Sequence, residues 1–286
     1  MPELPEVETI ACSLRNPVAL PFKELGALNE RPGIVGRTIA SAMVLWERSI
    51  AQPVPADFCR DIIHQEITQV LRRGKYLVLR LTHDWLFIHL RMSGDIRVEP
   101  LASENQVHDR VILGFADGTR LVFNDPRKFG RLWLVKDPLD VWCTLGPEPF
   151  DEELTAECFY GMLQRRSRSI KPLLLDQSFI AGLGNIYTDE ALFLAGIHPL
   201  RKSNTLGPGQ AAGLLSAIRQ VLREGIMRNG ASIDWVYRGG DFQNYFNVYQ
   251  RTGSQCPRCG GLIERSVVGQ RGTHYCPVCQ PLDPVN

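Results

Sequence analysis

The sequence predicts an α+β multidomain chain: an N-terminal helix, a β domain, a linker, a helical domain and a C-terminal zinc-bound hairpin. Three observations lead there. From about residue 36 to 136, short apolar runs alternate with turn residues. After Leu145-Gly-Pro-Glu-Pro-Phe150 the apolar spacing becomes helical. Near the end stand two cysteine doublets, Cys256-Pro-Arg-Cys259 and Cys276-Pro-Val-Cys279, with sixteen residues between them.

Pro5 suits the first position of a helix, and Val7, Ile10, Ala11 and Leu14 then share one face. Residues 16–34, rich in Pro, Gly and polar residues, read as a loop or insertion. Tyr76–Leu81 and Trp85–Leu90 read as strands. Arg110–Phe115 and Arg120–Phe123 form a hairpin around Asp117-Gly118, and Arg131–Val135 is a further strand. Such short strands favour a sandwich or a barrel. Beyond the linker, Leu154, Cys158, Phe159 and Met162 suit one helix and residues 185–195 another. Ala211, Leu214, Leu215, Ile218 and Leu222 mark the longest. The expected divisions are 1–136, a linker 137–150, a helical domain 151–247, and a finger with its tail 248–286.

Four thiolates at the doublet spacing are what a tetrahedral Zn²⁺ needs, so Cys256, Cys259, Cys276 and Cys279 are expected to hold one structural zinc. Two disulfides, or a ribbon that touches only protein, are the alternatives. Cys12, Cys59, Cys143 and Cys158 show no pairing pattern and read as small buried apolar residues. The finger carries Arg258, Glu264, Arg265 and Arg271, a net basic set that suggests a grip on phosphate without settling whether the partner is nucleic acid.

At 286 residues, 44% hydrophobic and 22% charged, the composition is that of an ordinary soluble protein. No apolar run is long enough to span a membrane, and Met1-Pro-Glu-Leu-Pro-Glu6 lacks the basic flank and apolar core of a signal peptide. A cytoplasmic protein with reduced thiols and no membrane partner is expected. Net charge is only +1, so an anion-binding surface must come from local clusters. Arg72, Arg73, Lys75, Arg80 and Arg91, against the single acid Asp84, form one; a solvated strand edge is the alternative.

Pro2 follows Met1, and removal of a methionine before a small residue would expose a secondary amine. An α-amino group titrates near 7.7–8.0, so a useful fraction is neutral at cellular pH and able to attack an aldehyde-like carbon. Glu3 stands beside it, placed to move protons, and Glu6 lies one turn on. The competing explanation for Glu6 and Glu8 is the helix dipole, which favours acids in a first turn. Glu3 precedes the helix and has no such explanation.

These residues carry a resemblance. Pro2-Glu-Leu-Pro-Glu-Val-Glu8 resembles the start of bacterial formamidopyrimidine-DNA glycosylases. So do Arg73-Gly-Lys-Tyr76, His89-Leu-Arg-Met-Ser-Gly94, Asn124-Asp-Pro-Arg-Lys-Phe-Gly130, Ile170-Lys-Pro172, Gly182-Leu-Gly-Asn-Ile-Tyr187, and the Cys₄ finger with Gln270-Arg-Gly-Thr273. The match runs nearly end to end and in the family's order. It implies an N-terminal helix, a two-layer β-sandwich, a helix–two-turn–helix domain and a zinc finger, acting on damaged double-stranded DNA as a monomer. The implied activity is excision of oxidised purines such as 8-oxoguanine and formamidopyrimidines, followed by β,δ-elimination at the abasic site. By the same resemblance Pro2 is the nucleophile, Glu3 the acid–base residue, Glu6 its support, and Lys75 a phosphate-binding catalytic lysine. His89, Lys171, Asn185 and Arg271 grip the backbone around the lesion, with Arg271 counted in the catalytic set. Met92, Arg127 and Phe129 fill the gap left by the flipped nucleotide.

Elementary chemistry suits those roles. A stacked base must leave the helix before chemistry, at a cost of a few kcal/mol. A phenyl ring can wedge between base pairs, a guanidinium can hydrogen-bond the orphaned base, and a thioether fills irregular space. Taken alone, Met92 and Phe129 read more readily as core residues, and Asn185 as an N-cap in a tight turn. Two departures stand out. Residues 16–34 are an insertion, and Tyr237-Arg-Gly-Gly-Asp-Phe-Gln243 is shorter than the Gly-rich loop expected over the flipped base. The short loop keeps open an endonuclease VIII-like preference for oxidised pyrimidines. A non-catalytic zinc-dependent DNA-binding protein is the third reading.

Overall fold

The computed structural model describes residues 1–15, 33–232 and 239–282. Helix α1 (Leu4–Arg15) buries Val7, Ile10, Ala11 and Leu14, the face anticipated from their spacing. Most of the predicted loop 16–34 lies outside the described residues; Ile34 is back in the core, its N–H on the Leu14 carbonyl at 2.8 Å.

Nine strands follow: β1 (Ile39–Val44), β2 (Ile50–Gln52), β3 (Ile67–Arg73), β4 (Tyr76–Leu81), β5 (Trp85–His89), β6 (Asp95–Pro100), β7 (Asp109–Phe115), β8 (Thr119–Asn124) and β9 (Arg131–Val135). They make two sheets, of order β1-β7-β8-β6 and β2-β9-β5-β4-β3, antiparallel except for the β2–β9 pair. Ile39, Val111, Leu113, Leu121 and Phe123 of the first share one core with Leu77, Leu79, Leu86, Ile88 and Leu132 of the second. That shared core makes the domain a sandwich, and α1 packs into it.

Helix α2 (Pro55–Ile62) interrupts a stretch read from sequence as wholly β. It starts on Pro55 with Asp57 in its first turn and buries Phe58 and Ile62, one turn apart. On the far side of the five-stranded sheet, Val78, Phe87 and Val135 are covered by Trp142 of α3 (Leu139–Trp142).

The chain forms two compact units, residues 1–143 with 229–240, and 144–228 with 241–286. The second contains α4 (Ala156–Gln164), α5 (Ile170–Leu174), α6 (Asn185–Ala195) and α7 (Pro208–Met227). Helix α6 ends on Gly196 at φ 67°, the left-handed position that glycine adopts without strain. Two successive turns, closed by Arg201 N–H to His198 O (2.9 Å) and Thr205 N–H to Lys202 O (3.1 Å), lead to α7. The helices approach closely at Gly225, where a Cβ would meet the Tyr187 ring at 2.5 Å. Arg219 of α7 donates to the carbonyls of Pro149 (2.7 Å), Asp151 (3.0 Å) and Leu154 (2.8 Å), fastening the segment that leads into α4.

The finger is an antiparallel hairpin, β10 (Glu264–Val268) and β11 (Arg271–Tyr275). Its turn residues, Gly269 and Gln270, have φ of 57° and 62°, the type I′ pattern that matches strand twist. Cys256, Cys276 and Ile263 share a small core with Phe193 of α6. The Glu190 carboxylate, also on α6, accepts the N–H groups of Asn247, Val248 and Tyr249, each at 2.9 Å, and so fixes the run into the finger. Of the cysteines outside the finger, Cys143 and Cys158 are exposed and Cys12 and Cys59 half-buried, which corrects their reading as core residues.

Candidate active site and nucleic-acid interface

Pro2 and Glu3 lead directly into α1, and both are buried together with Glu6. An ionised carboxylate is costly to bury unless hydrogen-bonded or opposed by positive charge. Glu6 meets that condition with backbone: Oε2 accepts the Glu3 N–H at 2.7 Å and Oε1 the Ala231 N–H at 2.8 Å. The helix dipole adds to this. Gly230, at φ 79°, lies flat against Glu6, and a Cβ there would sit 2.6 Å from Oε1. Glu6 therefore fixes the peptide that presents Pro2 and Glu3, and ties it to a segment 225 residues away in sequence. Ser232 Oγ accepts the N–H groups of Gly239 (3.1 Å) and Gly240 (2.8 Å), joining the ends of the segment before and after residues 233–238. The anticipated short loop 237–243 begins outside the described residues, which resume at Gly239.

Helix α1 is also fastened to the turn that carries Lys75. Glu8 Oε2 accepts from Arg72 Nε at 2.7 Å, and the same guanidinium donates to the Gly74 carbonyl at 3.1 Å. Burial alone would raise the Glu8 carboxyl, but the Arg72 and Arg15 guanidiniums outweigh it and hold the group below its ordinary range. Gly74, at φ 56°, and Lys75 make a two-residue hairpin turn between β3 and β4. The basic cluster is thus not simply a solvated edge: Arg72 is ion-paired and Lys75 is buried.

His89 pairs with Tyr76 across β4 and β5, one residue from Lys75. Desolvation, with the charges of Arg91 and Lys75, lowers its pKa from 6.5 to about 3. Its Nδ1 accepts the Arg91 N–H at 3.0 Å, so the neutral ring carries its proton on Nε2, as a donor.

Two adjacent loops carry Met92, Arg127 and Phe129. Met92 is 38% exposed, Phe129 49% exposed, and Arg127 lies with its guanidinium carbon 5.1 Å from the Phe129 ring centre. Their alternative reading as core residues fails. The loops are built on buried Asp125, whose carboxylate accepts from Ser93 Oγ, from Gly130 N (2.7 Å) and from Arg127 N (3.2 Å). The Phe123 ring closes the base: a Cβ on Gly94 would meet it at 2.8 Å and one on Gly130 at 2.3 Å. Lys128, in the left-handed region at φ 61°, sets its ammonium 3.9 Å from the Trp46 ring centre. Asp125, Ser93 and Trp46 were missed from sequence, although the Asp-Pro before Arg127 signalled the turn.

In the second unit, Arg271 is exposed at the start of β11, beside the hairpin turn. Asn185 is the first residue of α6 rather than its cap, a position taken by Gly184. Its Nδ2 donates to the Gly272 carbonyl at 2.9 Å. The Lys171 side chain is 0% exposed and ion-paired to Asp189 at 2.6 Å.

The finger sulfurs fit zinc. All four lie within 4.8 Å of one another, with Cys256 and Cys279 at 3.8 Å and Cys259 and Cys276 at 3.5 Å. Tetrahedral Zn–S bonds of about 2.3 Å put sulfurs roughly 3.8 Å apart, whereas a disulfide needs about 2.05 Å. The Arg258 and Cys279 N–H groups point at Cys256 Sγ and Cys276 Sγ, each at 3.4 Å, as expected for charged thiolates. Four protein ligands leave no open position, so the one zinc is structural.

Comparison with known proteins agrees along the whole length. Residues 1–132 match the formamidopyrimidine-DNA glycosylase N-terminal domain, residues 145–236 its H2TH domain, and residues 253–282 the zinc finger found in FPG and IleRS. The formamidopyrimidine-DNA glycosylase of Chloroflexus aggregans is 44% identical over 290 residues, covering 99% of each chain. The chain belongs to the formamidopyrimidine-DNA glycosylase family. Among solved structures, that of the Lactococcus lactis family member non-covalently bound to DNA containing an AP site superposes with a TM-score of 0.86. It is 35% identical and covers 98% of this chain and 100% of that one. MutM in complex with DNA containing carbocyclic 8-oxo-G matches with a TM-score of 0.87 at 35% identity and the same coverage. No helix among the described residues of this glycosylase is long and apolar enough to cross a membrane.

Proposed function

We propose that this chain is a bifunctional base-excision repair enzyme that removes 8-oxoguanine and formamidopyrimidines from duplex DNA and then cleaves the abasic site. The observation that carries this reading is the buried start of α1. Both Glu6 oxygens accept backbone N–H groups, and Glu3, the residue after Pro2 in the chain, is buried with it. Family membership and the DNA complexes of its relatives support it.

With Met1 removed, the Pro2 amine attacks C1′ of the flipped nucleotide, and the base leaves with a proton. Glu3 protonates the ring oxygen, which opens the deoxyribose and leaves an iminium on Pro2. The cation acidifies the C2′ proton, so the 3′ phosphate is eliminated; a second elimination releases the 5′ phosphate. Lys75 and the Nε2–H of His89 bind the phosphates beside the lesion, and Asn185 and Arg271 bind backbone from the second unit. Met92, Arg127 and Phe129 occupy the vacated space. Lys171 acts through the finger rather than on DNA. Zinc holds the finger, and no step passes through it. The protein works as a monomer in the bacterial cytoplasm, nucleoid-associated when bound to DNA.

The test is a panel of duplexes carrying 8-oxoguanine, an oxidised pyrimidine or an abasic site, read by product ends. Fastest release of the purine lesion, with phosphates on both sides of a one-nucleotide gap, is expected. Preference for the pyrimidine lesion would make it endonuclease VIII-like. Bound but uncut duplexes would leave a DNA-binding protein.

A further inference from the structure

Arg271 stands on a two-stranded hairpin, an element of marginal stability by itself. A long side chain on such a tip grips a phosphate well only if its backbone is already fixed, because ordering on binding detracts from affinity. The hairpin is braced at three points. Gly269 lies against Pro172, where a Cβ would sit 2.9 Å from the ring Cγ. The Gly272 carbonyl accepts both Lys171 Nζ and Asn185 Nδ2, each at 2.9 Å. The His274 N–H donates to Asp189 Oδ2 at 2.9 Å.

Two of the three converge on one side chain. Asp189 lies one turn after Asn185 on α6 and is fully buried. Its Oδ1 holds the Lys171 ammonium at 2.6 Å, and its Oδ2 holds the hairpin backbone directly. The buried ion pair thus points the ammonium at Gly272, the residue after Arg271.

We infer that Asp189 is a positioning residue for DNA binding: through Lys171 and the hairpin backbone it holds Arg271 ready for a phosphate without itself touching DNA. This rests on the proposed phosphate contact of Arg271.

The experiment measures binding to a duplex with a tetrahydrofuran abasic analogue as a function of salt. The proteins are the wild type, Arg271→Ala, the charge-free pair Lys171→Met with Asp189→Asn, and all three substitutions together. Zinc content and melting show which remain folded. Each phosphate contact contributes about 0.9 to the slope of log K against log salt. Arg271→Ala is expected to reduce the slope by about that amount, the pair to reduce it equally, and the triple variant no further. A simple packing role would weaken the fold but leave the slope and its additivity intact. A pair that keeps the wild-type slope, or whose loss adds to that of Arg271→Ala, overturns the inference while leaving the phosphate contact standing. An unchanged slope in Arg271→Ala overturns the phosphate contact and the inference with it. Should the pair lose its zinc, Asp189→Glu, which keeps the charge and lengthens the arm, takes its place with the same criteria.

Discussion

Glu6 accepts one backbone N–H on each oxygen, so its identity is more constrained than its charge alone requires. Glu6→Gln puts an amide NH₂ against one of those N–H groups and leaves a buried donor unsatisfied. A loss of about 1–3 kcal/mol is expected in denaturant unfolding, with slower base release. His89 makes a prediction in pH. Its imidazole takes a proton below 6.5 when unfolded but only near 3 when folded. The unfolded state therefore binds more protons in that window, and stability falls as pH falls from 6.5 toward 3, by up to about 1.4 kcal/mol per pH unit. Urea unfolding at pH 6.5 and 4.5 should show this component in the wild type and not in His89→Gln. At this scale the sequence displayed the groups that do chemistry, because their types and spacing are local. It did not display what holds them: Ala231 meets Glu6 only through the fold, and nothing local marks Asp189 as a buried partner of Lys171.

Among the elements, the paired loops at Met92 and Arg127–Phe129 separate stability from function most clearly. Phe129 is half exposed, so Phe129→Ala should change unfolding free energy by no more than about 0.5 kcal/mol yet sharply slow release of a lesion base from duplex. Gly130→Ala should do the reverse of a neutral change. Its Cβ would lie 2.3 Å from the Phe123 ring, so the loop must move, at about 1–3 kcal/mol. A thermal melt beside a single-turnover assay distinguishes the two variants. The strands around these loops were readable because β4, β5, β7, β8 and β9 are short apolar runs bounded by turn residues. Helix α2 was not, since eight residues with two buried anchors span too few turns to show a period.

For the whole molecule, the zinc cysteines were the most legible feature, because ligand spacing is set by covalent geometry. The exposure of Cys143 and Cys158 was illegible, since one apolar residue carries no period. Likewise the return of residues 229–240 to the first unit leaves no trace in local sequence. Cys276→Ser should release zinc, unfold the β10–β11 hairpin and weaken binding to abasic DNA, because a small finger folds on its metal. Full affinity in zinc-free protein would contradict the finger's role. The Pro2 amine is expected to form an iminium with the sugar. Borohydride reduction during turnover on an abasic duplex, followed by peptide mass mapping, tests it most directly. A covalent adduct on the peptide that begins at Pro2 is the predicted result. No adduct from protein shown to lack Met1, or an adduct on a lysine instead, would contradict it.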